Sequence, residues 1–238
     1  MRHFLLFCFL IAAFPSFAQD SLAVKSDAKI PDFNALDSLY REDQFYLGFT
    51  YNILQHRPEG LKQNKFSSGF SFGVLRDMPF NKSRTWAVAV GLGYSINNFN
   101  QNLQITESGG INQYNLIASD IAYDKNKLII HYIDVPIEIR WRTSTPQSHK
   151  FWRVYTGVKL SYMVFNRYKY ANGDDKFSSS NNDDLNKIQY GLYLATGYNT
   201  WNLNVYYGLS PLFKSDAKLN GNSIDMHTLN VGLMFYIL

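Results

Sequence analysis

The side chains able to do chemistry are concentrated in one short stretch. Asp134, Glu138, Arg140 and Arg142 all fall on even positions, and Arg153 and Lys159 follow with a shared parity of their own. Carboxylates and cations gathered on one face can transfer protons, hold a charged ligand or neutralise one another inside a fold. Four aspartates, Asp174, Asp175, Asp183 and Asp184, crowd a Ser/Asn-rich segment. Such oxygen ligands can hold Ca²⁺, but their spacing matches no EF-hand loop, so a solvated loop is expected and no metal or cofactor is assigned. Gly91-x-Gly93 lacks the following helix that a phosphate loop needs. Cys8, the only cysteine, lies in an apolar run.

Which chemistry survives depends on the elements that carry these residues. From Trp86 to Ile96 every second side chain is large and apolar, while Ala87, Ala89, Gly91, Gly93 and Ser95 between them are small. A period of two is a strand, and a second face with neither charge nor volume suits the crowded interior of a narrow barrel whose bulky face meets lipid. The same alternation recurs at about 44–54, 66–76, 133–142, 151–165, 188–198, 201–210 and 229–237, which makes eight strands. Polar connections fall at 56–65, 97–127, 166–186 and 211–225, and shorter turns at 77–81, 143–150 and 199–200. Long connections after odd strands and short ones after even strands are the signature of an outer-membrane barrel with a periplasmic N-terminus and four longer extracellular loops. The expected fold is therefore all-β, an eight-stranded antiparallel transmembrane β-barrel with a side-chain-filled lumen.

Residues 1–18 are expected to be an export signal, with Arg2 and His3 ahead of the apolar Phe4–Ala13 and a Ser16-Phe17-Ala18 cleavage context. Cys8 leaves with it, which excludes disulfides and thiol chemistry. Residues 19–43 read as a periplasmic tail, either carrying one amphipathic turn at Leu36, Leu39 and Tyr40 or forming a disordered leader. Residues 44–238 form the barrel. The net charge of +4 includes Arg2 and is spread without a basic run, so nothing points to nucleic acid.

Two aromatic girdles follow from the parity. Trp86, Trp141, Trp152 and Trp201 fall on the lipid face at the periplasmic boundary, and Tyr51, Tyr94, Tyr162, Tyr190 and Tyr207 at the extracellular one. Pairing Trp141 with Trp152 across the 143–150 turn sets Asp134 opposite Lys159 and Glu138 diagonal to Arg153, a lumen of paired charges. Some eight-stranded outer-membrane barrels are lipid-modifying enzymes that use a His, a Ser and an acid. Here His56 and His149 lie in loops without clustered partners, and His131 and His227 belong to strands that are not neighbours. No catalytic residue is assigned.

The run Tyr132-Ile133-Asp134-Val135-Pro136-Ile137-Glu138-Ile139-Arg140 resembles the aromatic-x-x-x-Pro-x-x-x-basic strand of the PorT-like outer-membrane β-barrels of Bacteroidetes-type bacteria. The Phe-Ala-Gln cleavage context and the Gly/Tyr-rich strands are similar too. The resemblance covers about residues 44–238 and implies a barrel of about eight strands. It also implies a non-enzymatic role through protein partners, one family member being an accessory component of type IX protein secretion. A structural or adhesive barrel and a lipid-modifying enzyme are the alternatives. The expected surroundings are outer-membrane lipid and protein partners.

Overall fold

The computed structural model describes residues 43–63, 65–144 and 151–237. The expected export signal, the tail to residue 42, His149 and most of the 143–150 turn lie outside them. Among the described residues no helix is long and apolar enough to cross a membrane, and all named elements are strands. In chain order these are β1 (Gln44–Gln55), β2 (Ser68–Pro79), β3 (Trp86–Asn100), β4 (Leu103–Ser108), β5 (Ile111–Leu116), β6 (Lys125–Arg142), β7 (Trp152–Asn172), β8 (Asp175–Ser180), β9 (Ile188–Tyr198), β10 (Trp201–Gly208), β11 (Lys218–Leu219), β12 (Asn222–Ser223) and β13 (His227–Ile237).

Eight of them close on themselves. The main sheet runs β6-β3-β2-β1-β13-β10-β9-β7, with β8 added beside β7 and a β6–β7 pairing that completes the ring. Every neighbouring pair is antiparallel. Closure leaves no free strand edge around the barrel wall, the one arrangement of strands that satisfies every backbone group in hydrocarbon.

The small inward residues are explained by what lies across them. Ala87 and Ala89 are fully buried, and the Tyr46 ring crosses the lumen so close to Gly93 that a Cβ there would strike its hydroxyl. Pro136 lacks an N–H, and the β3–β6 ladder skips Gly91–Leu92 against Val135–Pro136. Gly91 has no side chain to collide with the proline ring.

Several elements differ from the sequence expectation. The 77–81 segment reads as a turn because Asp, Pro and Asn favour turns, but β2 continues to Pro79 and the chain turns at 80–85. There the Asn81 side chain accepts from Trp86 N at 3.0 Å and donates to Ser83 and Thr85. The 97–127 connection is shorter than expected, because β3 runs on to Asn100 and β6 begins at Lys125; the hairpin β4–β5 occupies what is left. Within 166–186, β7 runs on to Asn172 and β8 folds back along it. β10 stops at Gly208 rather than at 210.

These additions build a folded cap over the outer mouth. Leu61, Leu103, Ile105, Leu185, Phe213 and Ile224, drawn from all four outer connections, are buried in one cluster with Phe99, Leu128 and Tyr168 of the strands. Asn102 ties the first connection to the second by accepting from Lys62 N at 2.7 Å and donating to Gly60 O at 3.0 Å. Tyr114 donates to Asp184 at 2.8 Å, joining second to third, and Asn186 donates to Phe213 O at 2.9 Å, joining third to fourth. Asp184 is thus part of the cap rather than a solvated loop residue. Burial pushes the Tyr114 hydroxyl well above the usual phenol range.

Candidate functional site

The lumen is the first candidate, because β6 and β7 deliver their charges into it. Asp134, Glu138, Arg140, Arg142 and Arg153 are all buried. The register differs by two residues from the expected one: Trp141 faces Val154, Asp134 faces Ser161, Lys159 faces Pro136, and Arg142 faces Arg153. A two-residue slip keeps every side chain on its own face, so the alternation alone did not distinguish this register from the one that pairs Trp141 with Trp152.

The charges find partners by other routes. Lys159 reaches diagonally to Asp134 at 3.7 Å, with its ammonium 4.2 Å from the Tyr206 ring, and Ser161 donates to Asp134 at 2.5 Å. Glu138 does not meet Arg153; it binds Arg140 Nε on its own strand at 2.6 Å. Asp77, in the stretch expected to be a turn, is the residue that sequence reasoning missed. It takes a two-pronged contact from Arg142 at 2.9 Å on each oxygen and a further bond from Arg140 at 3.0 Å. Its parity was the available signal, since Gly69, Ser71, Gly73, Leu75 and Asp77 all continue the inward face of β2. Arg153 turns to aromatic faces instead, 4.5 Å from the Phe151 ring centre and 5.4 Å from that of Tyr236.

This layer closes the lower lumen, with Arg140, Arg142 and Asp77 fully buried. Above it, Asp134, Lys159, Tyr46 and Tyr206 border a cavity of about 50 Å³, which is room for a few water molecules only. The cap closes the top.

The outward face is the second candidate. Leu92, Ile139, Val158, Leu160, Leu192 and Leu203 lie exposed on it, an apolar belt far larger than a water-soluble monomer carries. Trp86, Trp141, Trp152 and Trp201 are exposed at the end with the short turns; Trp86 faces Trp141, and Trp201 packs edge-on against Phe235 at 4.9 Å. At the other end Tyr51, Tyr162 and Tyr190 are exposed, while Tyr94 and Tyr207 are half-buried. Residues 17–214 match the outer membrane protein beta-barrel domain.

The chain belongs to the outer membrane protein β-barrel domain family. As a member of that family it resides in the outer membrane, where the apolar belt meets lipid and the short turns face the periplasm. No curated protein sequence matches it. Among solved structures it is similar to Ail, the attachment invasion locus protein of Yersinia pestis, at 15% identity over 84% of this chain and 100% of that one, with a TM-score of 0.36. The same protein in complex with the heparin analogue sucrose octasulfate gives a TM-score of 0.38 at the same identity and coverage. A triple mutant of the Rhodopseudomonas blastica porin gives 0.21 at 9% identity over 83% of this chain and 100% of that one. The family assignment does not depend on these structures.

The described histidines, His56, His131 and His227, sit at the outer rim. His131 Nδ1 lies 2.8 Å from the Tyr94 hydroxyl. His56 is not isolated, as its loop position suggested, because Gln55 pairs with His227 and brings the two imidazole rings to 5.0 Å, edge to face. His227 contacts Gly208 O through Nδ1 at 3.0 Å and Asp225 through Nε2 at 3.4 Å. Ser223, nearby in sequence, donates to Ser215 O at 2.8 Å.

Proposed function

We propose that this outer-membrane barrel is non-enzymatic and acts through protein partners at its surfaces, as an accessory component of type IX protein secretion. The carrying observation is the double closure of the lumen, by the Asp77–Arg140–Arg142 layer below and by a cap built from all four outer connections above. A barrel filled in this way has no solute path, so its activity belongs to what it presents outside. A cap with its own apolar core is a rigid surface, and rigid surfaces bind proteins at a lower ordering cost than mobile loops. The PorT-like run from Tyr132 to Arg140 makes type IX secretion the machine to test first. Its Tyr132, Pro136 and Arg140 all share the inward parity of β6.

Deletion of the gene, or of residues 19–42 alone, should impair delivery of secreted cargo to the cell surface while leaving permeability to small solutes unchanged. Normal cargo delivery in the deletion strain would remove the secretion role and leave a structural or adhesive barrel. Altered lipid A acylation in the same strain would favour the enzyme.

A further inference from the structure

The apolar outward face of β6 and β7 ends at Ile129, Val164 and Phe165, and the next two outward positions on each strand, Lys127 and Lys125 on β6 and Arg167 and Lys169 on β7, are basic. Lys127 stands directly opposite Lys169, with Arg167 opposite Ile129 and Lys125 opposite Ala171. Like charges set directly across a strand pair repel and destabilise the sheet. Among the described residues no carboxylate lies within ion-pair distance of any of the four. Asp124, which precedes Lys125, accepts from Gly173 N at 3.0 Å instead. Arg167 donates to Ser178 at 3.3 Å through Nη2, yet its Nε is buried without a hydrogen-bond partner. An anion set among these side chains would offset their repulsion and give the Arg167 Nε an acceptor.

The position says which anion. The patch is outside the barrel, on the side that faces lipid, and it begins where the apolar belt stops on the extracellular side. Lipid headgroups occupy that level, and long basic side chains there keep their stems against the apolar surface while their charged ends reach the headgroups. We propose that Lys125, Lys127, Arg167 and Lys169 form a binding site for the phosphate groups of an outer-leaflet glycolipid. Lys127 and Lys169 would share one phosphate as point charges, and Arg167 would offer its guanidinium to a second oxygen set. Lipid bound there would brace the tall β6–β7 sheet that carries β8 above the membrane.

The test uses the full-length barrel folded in detergent and immobilised, with three probes: lipid A, enzymatically dephosphorylated lipid A, and inorganic phosphate. Wild-type protein should retain lipid A about tenfold better than the dephosphorylated form, the size of one charge-assisted contact or more. Combining Lys127→Gln with Lys169→Gln should remove that preference, while Lys127→Arg with Lys169→Arg should keep it. Both variants alter outward side chains, and unchanged heat-dependent gel mobility verifies their folding. Equal retention of the two lipid forms, or undiminished retention by the glutamine variant, overturns the proposal. Binding of inorganic phosphate as strong as that of lipid A also overturns it, since the ligand would then be a free anion.

Discussion

Replacing Asp77 by asparagine isolates the ionic layer that closes the lower lumen. Asp77 accepts three charge-assisted hydrogen bonds, at 2.9 to 3.0 Å, from two arginines that are as completely buried as it is. Asparagine keeps the shape and one acceptor oxygen, so the change removes the negative charge and leaves two guanidiniums without it. Each charge-assisted bond contributes about 1.5–3 kcal/mol, while removing one partner of a buried pair costs about 3–5 kcal/mol in total. The second figure is the better guide, because the arginines have no bulk water to turn to. Urea unfolding of the barrel in lipid vesicles, followed by tryptophan fluorescence and heat-dependent gel mobility, measures it. With an unfolding slope of about 1–3 kcal/mol per molar urea, the midpoint should fall by about 1–5 M. Adding Arg142→Met to Asp77→Asn should recover part of the loss, because it withdraws a buried cation that has lost its carboxylate contact. A single-variant loss below about 1 kcal/mol, or two losses that simply add, would refute the buried network.

Further outcomes follow from the same geometry. Lys159→Met alone should destabilise more than Lys159→Met combined with Asp134→Leu, by about 1–2 kcal/mol in urea unfolding, since the lysine side chain is 20% exposed and the ion pair loose. Gly93→Ala should cost about 1–3 kcal/mol through its collision with Tyr46, and Tyr46→Phe should relieve part of that loss by removing the oxygen nearest the new methyl. Phe213→Ala, which empties the position packed edge-on against Tyr114, should cost the cap about 3–5 kcal/mol. Proteolysis of intact cells should then cut the outer connections while the barrel keeps its heat-dependent mobility; uniform loss of the whole barrel would contradict a separately packed cap.

The barrel was legible because a membrane wall imposes a strict period of two, which the Trp86 to Ile96 stretch carries without a break. Strand parity also placed the four tryptophans and the lumen charges on their faces. Register was not legible, because parity says which face a residue occupies and not which residue stands across from it; a two-residue shift preserves every face and changes every partner. Asp77 was hidden by Pro79 and Asn81, whose turn chemistry is real but acts three residues later. The cap was hidden by composition. Its connections are polar on average, and the few apolar residues that bury, such as Leu103, Ile105 and Phe213, come from segments far apart in sequence and meet only after the barrel has brought their ends together.

The central claim is that the lumen is shut at two levels and the protein works from its surfaces. Purified barrel reconstituted into planar lipid bilayers tests it most directly. The wild-type protein should give no steady conductance at any moderate voltage; a stable, ohmic channel of porin size would contradict the closure and everything built on it.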